Sequence, residues 1–210
     1  MPVIRSHDVT LRGSAGDLNI VLRPLSDAHL PLLYRWNSDP EVLYWTEGGE
    51  DIVRSYDADT VNRIYGGVSQ AAHCFLIEVD GVPVGECWLQ RMNLSYVSAQ
   101  YPSLDVRRID MAIGEKEYWG KGIGTAFVGL LVEFAFAVEG VDVLHCFAED
   151  YNVRSVRVWL KNGFRLAHSE DLPQPQKGTR QHHFVLTRSE WTETSARPIA
   201  VQDEPLSRGR

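Results

Sequence analysis

The eight residues Tyr118-Trp119-Gly120-Lys121-Gly122-Ile123-Gly124-Thr125 constrain this chain more than any other stretch. They separate an apolar, strand-like run (Ile109, Met111, Ala112, Ile113) from a helix-like segment over 125–138. Three glycines at alternate positions leave backbone N–H groups bare where a helix begins and its dipole presents a partial positive charge. Such a turn holds a phosphate or pyrophosphate. A glycine turn that only caps a helix, with no ligand, is the bland alternative.

Spacing narrows the ligand. A P-loop needs Gly-x-x-x-x-Gly-Lys-Ser/Thr, but Lys121 lies between two glycines with no Ser or Thr after it. A dinucleotide turn needs Gly-x-Gly-x-x-Gly early in a βαβ unit, with an acid about twenty residues on. Here the spacing is Gly-x-Gly-x-Gly, half the chain has already passed, and Glu139 near the required distance is a common coincidence. A second segment, Asn152-Val153-Arg154-Ser155-Val156-Arg157-Val158-Trp159-Leu160-Lys161-Asn162-Gly163-Phe164, follows an apolar strand over 141–148. Asn162-Gly163 supplies a left-handed helix stop. Val153, Val156 and Leu160 read as one apolar helix face, with Arg154, Arg157 and Lys161 directed elsewhere and Arg154 solvated.

In this order, the two segments resemble the cofactor motifs of the GNAT superfamily of acetyl-CoA-dependent N-acetyltransferases. The first resembles Gln/Arg-x-x-Gly-x-Gly/Ala, with Trp119 at the Gln/Arg position. The second resembles Asn-x-x-Ser/Ala followed by Tyr-x-Lys-x-Gly-Phe, with Trp159 at the Tyr position. The resemblance implies an α/β (α+β) fold. Its central sheet is mixed and mostly antiparallel, with helices on both faces and a splayed parallel strand pair at the cofactor site. It also implies acetyl-CoA as co-substrate, held by Ala112, Ile113, Gly114, Trp119, Gly120, Lys121, Gly122, Ile123, Gly124, Thr125, Asn152, Ser155, Arg157 and Trp159.

Within the superfamily the chain is most similar to aminoglycoside 6′-N-acetyltransferases. The matching segments are Glu41-Val42-Leu43-Tyr44-Trp45, Asp105-Val106-Arg107-Arg108-Ile109-Asp110, and Asn152-Val153-Arg154 with Arg157. Ribosomal-protein and polyamine acetyltransferases share Asp39-Pro40-Glu41-Val42 and the residues 118–122. The resemblance places Tyr44, Trp45, Glu86 and Asp110 on the acceptor wall. An ammonium of pKa about 10 must lose a proton before it attacks a thioester, and Asp110 is the candidate base. Its bland alternative is an ion pair with Arg107 or Arg108. A backbone N–H around Ala112 to Gly114 would meet the oxyanion. An indole at 159 cannot protonate the leaving thiolate, which leaves Tyr151, water or departure as thiolate. The same Trp159 motivates a different reading, a CoA-binding module without catalysis.

A length of 210 residues suits one domain. The expected boundaries are a leader over 1–17, the acetyltransferase domain over 18–191, and a disordered tail over 192–210, rich in Pro, Ser and Arg. No apolar run reaches membrane-spanning length, and the start lacks a signal-peptide core. Cys74, Cys87 and Cys146 are odd in number, lie in apolar segments and have no Cys-x-x-Cys spacing, which suits reduced thiols in a cytoplasmic protein. His182-His183 would point to opposite faces of a strand, so no metal is expected. The net charge of −7 argues against nucleic acid and for a cationic small-molecule amine as partner of a monomer or homodimer. Eight acids against two bases lie in 26–60, mostly solvated, with a few able to draw in an amine.

The remaining pattern predicts a strand over 19–23 and a helix from Ser26 or Asp27 to Trp36 with Leu30, Leu33 and Trp36 inward. It predicts a second helix over 52–64, strands over 73–79 and 82–92 turned by Asp80-Gly81, and a loop over 93–104. In the helix over 125–138, Phe127, Leu130, Leu131, Phe134 and Val138 should face inward. A last hairpin spans 164–168 and 181–187, its long connection set at the acceptor mouth.

Overall fold

The computed structural model describes residues 2–46, 55–174 and 176–195. Short segments, several of them continuous apolar runs, form strands β1 (Leu11–Ala15), β2 (Leu18–Pro24), β3 (Ala72–Val79), β4 (Val82–Arg91), β5 (Val106–Ile113), β6 (Val143–Glu149), β7 (Arg165–Asp171) and β8 (Arg180–Thr187). They form one sheet in the order β1-β2-β3-β4-β5-β6-β8-β7. Asp80 and Gly81 both take positive φ (49° and 81°), the primed turn whose twist matches a two-residue hairpin.

Every neighbouring pair is antiparallel except β5–β6. That parallel pair holds only three partners, Val106↔Val143, Arg107↔Leu144 and Arg108↔His145. Beyond Arg108, β5 stays paired to β4 through Ile113 but leaves β6. The strands splay there, and the β6-facing backbone of residues 109–113 has no ladder partner among the described residues. This gap positions the site.

Helices α1 (Leu30–Ser38), α2 (Pro40–Thr46) and α3 (Ala58–Val68) lie on one face of the sheet. Leu33, Trp36, Val61 and Tyr65 pack there with Cys74 and Leu76. A short helix α4 (Ser95–Ser98) interrupts the expected loop over 93–104. Helices α5 (Ile123–Glu133) and α6 (Val153–Lys161) cover the other face, where Phe127, Leu131, Trp159 and Phe164 join the larger core. A final helix, α7 (Arg188–Ser195), follows β8. No helix among the described residues is long and apolar enough to cross a membrane.

Several boundaries differ from expectation. Residues 2–17, expected to form a leader with little core, contribute to the fold: Ile4 is buried and β1 pairs along β2. Asp27 holds this segment by accepting the N–H groups of Val3 and Ile4 at 2.9 and 2.7 Å. Helix α2 was not anticipated. Pro40 at its start, with the Asp39 carboxylate accepting the Glu41 N–H at 2.8 Å, explains it. The helix expected over 52–64 begins later, at Ala58 behind an Asp57 cap; the start of that expectation lies outside the described residues.

Residues 134–138 form a π-helical turn, which rotates Val138 out to solvent. On α6 the buried side chain is Trp159, which joins the larger core with Val156 and Val158 packed against it, while Val153 and Leu160 are half-exposed. The expected tail is helical as far as Ser195, and 196–210 lie outside the described residues. The three cysteines are free and buried.

Candidate active site

The glycine turn arrives where the splay opens. Gly120 and Gly122 take φ of 76° and 79°, and a Cβ added to either would meet no atom within 4 Å. Gly122 is the N-cap of α5, so the N–H groups of Ile123, Gly124 and Thr125 begin the helix without intrahelical acceptors. A Cβ on Gly124 would come within 3.2 Å of Val158 Cγ2, so this glycine brings α5 against α6. Trp119 donates its indole N–H to the Ile113 carbonyl at 2.7 Å. It pins the turn to the end of β5 and leaves the backbone donors clear.

A cavity of about 280 Å³ lies on this turn. Of the expected cofactor residues, it brings together Ala112, Ile113, Trp119, Gly120, Gly122, Ile123, Gly124, Thr125, Asn152, Ser155 and Arg157. Three lie elsewhere. Lys121 turns back over the Tyr118 ring, 5.1 Å from its centroid. Gly114 packs on Trp36, whose Cγ would stand 2.1 Å from an added Cβ. Trp159 is buried beneath the neighbouring cavity, its indole N–H without a hydrogen-bond partner among the described residues. Bare donors at a helix start, beside a cleft lined by Arg154, Arg157 and Lys161, suit an anionic, pyrophosphate-bearing ligand.

Arg154 corrects the solvated reading. Its guanidinium lies between the rings of Trp45 (4.0 Å) and Trp119 (4.5 Å), joining α2 to the glycine turn. Asn152 also departs from expectation. Its Oδ1 accepts the Ser155 N–H at 3.1 Å as a helix cap, and its Nδ2 donates to the Trp45 carbonyl at 2.9 Å. Both ends of the amide thus hold protein elements together.

A second cavity of about 460 Å³ adjoins the first, and Trp45, Thr46, Met111, Asn152 and Ser155 line both. Asp110 lies in its wall. Its Oδ2 accepts the Trp88 indole N–H at 2.7 Å and Arg108 Nε at 2.5 Å; Oδ1 has no donor among the described residues. Burial raises the Asp110 pKa above the ordinary aspartate value, with Arg108 and Trp88 opposing. The Arg108 ion pair expected as the bland alternative is therefore present, and it engages only one of the two carboxylate oxygens.

Glu149, at the end of β6, is a second carboxylate in this wall that the sequence reading missed; burial raises its pKa too. It lies beyond the last β5–β6 rung, Arg108↔His145, at a position no motif in the sequence marks. Tyr44 and Tyr151 complete an aromatic corner with Trp45, their rings 4.9–5.9 Å apart. The Lys177 ammonium lies 4.3 Å from the Tyr44 and Tyr151 ring centroids.

The described acids of 26–60 do not form this wall. Asp27 ties down the N-terminal segment, Asp57 caps α3, and Asp39 and Glu41 pair with Lys116 at 3.0 and 2.9 Å. Asp59 is exposed on α3, and Glu47, Glu50 and Asp51 lie outside the described residues.

Glu86 is also displaced from its expected place. It lies 4 % exposed under α3, beside the Tyr65 hydroxyl, and lines neither cavity. Burial, then Asp110, pushes its pKa well above the usual carboxylate range. The folded state therefore keeps this proton after the unfolded chain has released it. The stability Glu86 contributes is present below its ordinary pKa and is lost as pH rises. Glu86→Gln is expected to gain progressively on the parent as pH rises above the ordinary glutamate pKa, read as denaturant midpoints across that range. A constant deficit across that range would show a structural carboxylate instead.

Residues 19–165 match the family model described as Acetyltransferase (GNAT) domain. The chain is 26 % identical over 156 residues to an aminoglycoside N(6′)-acetyltransferase type 1 of Klebsiella pneumoniae, covering 70 % of this chain and 74 % of that protein. It is 22 % identical over 169 residues to the spermidine N(1)-acetyltransferase of Escherichia coli (strain K12), covering 80 % and 79 %. The fold superposes, with a TM-score of 0.66 at 21 % identity, on an aminoglycoside acetyltransferase, AAC(6′)-Ib, in complex with coenzyme A and kanamycin, covering 84 % of this chain and 99 % of that one. The bare turn, the splay and these matches agree: the chain belongs to the GNAT family of acetyl-CoA-dependent N-acetyltransferases.

Proposed function

We propose that this enzyme moves an acetyl group from acetyl-CoA directly to a primary amine of a small polycation, an aminoglycoside first and a polyamine second. One observation carries the reading: the glycine-turn cleft and the carboxylate-bearing cavity meet at Trp45, Met111, Asn152 and Ser155. Cofactor and acceptor would then share one space, as transfer by proximity requires.

The residues divide the work. The turn over 119–125 and Arg157 hold the pyrophosphate end of the co-substrate. Asp110 Oδ1 takes the proton of the incoming ammonium, while Arg108 and Trp88 fix Oδ2. The freed amine attacks the thioester carbonyl, and the C–N bond forms as the C–S bond breaks. A backbone N–H of the unpaired stretch of β5, around Ala112 to Gly114, meets the oxyanion. Trp159 supplies no acid; the second proton, shed by the nitrogen as the amide forms, passes to water or to the departing CoA thiolate, whose thiol pKa is about 8.5.

The acceptor class rests on the second cavity. Aromatic faces from Trp45 and Tyr151 stand beside Asp110 and Glu149, with Tyr44 packed behind them outside the cavity lining, which suits ammonium groups spaced along apolar rings or chains. That corner already receives the ammonium of Lys177, and the named activities of the two curated relatives agree. A thiol-release screen should give the highest kcat/KM with kanamycin-like aminoglycosides, then spermidine, then short peptides. Preference for peptides would assign the enzyme to protein N-termini instead.

A further inference from the structure

A β-bulge sets up a second site. The register of β7 against β8 runs Leu166↔Phe184 and then shifts, so that His168 lies opposite His183. Without the shift, the ladder would have placed His168 opposite His182. Bulges re-aim side chains in this way. The His168 and His183 rings consequently stack with centroids 4.3 Å apart and planes 9° from parallel. Glu170 follows two residues on, on the same face. Its Oε1 lies 3.2 Å from His168 Nε2 and its Oε2 3.8 Å from His183 Nε2. The ligand-capable atoms of all three residues fall within 4.8 Å of one another.

The inner histidine carries the argument. His183 is fully buried, and its Nε2 has no hydrogen-bond partner among the described residues. Its Nδ1 lies 3.3 Å from His145 Nε2. If Nδ1 donates that hydrogen bond, Nε2 is left as a bare lone pair on the Glu170 side. A buried polar atom without a partner costs on the order of 1–3 kcal/mol. A neighbour that fixes the tautomer through the other ring nitrogen is the usual support of a metal-ligating histidine.

We propose that His168, Glu170 and His183 bind one divalent transition-metal ion of zinc's class. Two imidazoles and a carboxylate form a zinc set with a fourth position for water, whereas magnesium and calcium prefer oxygen alone. His183 is fixed, while His168 and Glu170 are partly exposed, and the His168 ring would turn out of its parallel stack so that both imidazole lone pairs meet one ion. The ion would clamp β7 to β8 beside the acceptor cavity, because two rungs on Glu170 pairs with Gln181, which lines that cavity. It takes no part in acetyl transfer.

The test uses the full chain without an affinity tag, stripped with a chelator and titrated with Zn²⁺ against a chromophoric competitor. One ion per chain is expected, with Co²⁺ giving visible d–d bands. His168→Ala and Glu170→Ala should each weaken binding about 10-fold or more. CoA binding, measured without metal, should be unchanged in both and so report an intact fold. Failure of the parent chain to bind Zn²⁺ stoichiometrically would overturn the site. Binding that survives both substitutions would place the ion elsewhere and overturn it equally.

Discussion

Replacing Gly122 and Gly124 together with valine is expected to weaken CoA binding by about 100-fold or more, equivalent to about 2.7 kcal/mol. The parent chain should bind near the micromolar scale usual for such substrates. At Gly122 an added Cβ enters open space beside the bare N–H groups, so an isopropyl group occupies the approach of the pyrophosphate. The positive φ of 79° adds about 1–2 kcal/mol of strain for any L side chain. At Gly124 the valine meets Val158 Cγ2 and pushes α5 from α6. Isothermal titration reads the affinity, and a thermal melt shows whether the variant still folds. Unchanged affinity in a folded double variant would remove the turn from the cofactor site.

Asp110→Asn is expected to lower turnover by about 10²–10⁴-fold at neutral pH with CoA affinity unchanged, the usual range for losing a general base. The sign of the pH dependence follows from burial. Asp110 must be ionised to accept a proton, and its pKa lies above the ordinary aspartate value. In the parent, kcat/KM should fall on acidification beginning at a higher pH than an exposed aspartate would give. In the Asn variant that limb should vanish. Full activity in Asp110→Asn would leave the carboxylate only its pairing with Arg108 and Trp88, with Glu149 the remaining candidate in the wall.

The parts legible in the sequence were those in which the backbone itself carries the signal. The glycine turn, the Asp80-Gly81 hairpin and the Asn162-Gly163 stop depend on which residues tolerate positive φ, and each stands where the sequence placed it. The mixed sheet with one parallel pair followed from the family resemblance. Side-chain roles were harder, because partners come from distant segments. Arg154 reads as a solvated helix cation until α2 brings Trp45 across it. The acids of 26–60 read as mostly solvated with a few able to draw in an amine, yet Lys116, 75 residues from Glu41, pairs with two of them. Glu86 looked like an acceptor ligand, but α3 covers it. Glu149 was passed over, and only the splay of β5 from β6 makes it face the site.

A conjugate that joins CoA, through an acetyl linker on sulfur, to an amine of a kanamycin-like aminoglycoside tests the shared space most directly. If the two cavities form one site for direct transfer, each half raises the effective concentration of the other. The conjugate should then bind about 100-fold or more tightly than CoA alone by isothermal titration. Binding no tighter than CoA would contradict a common site for cofactor and polycationic acceptor.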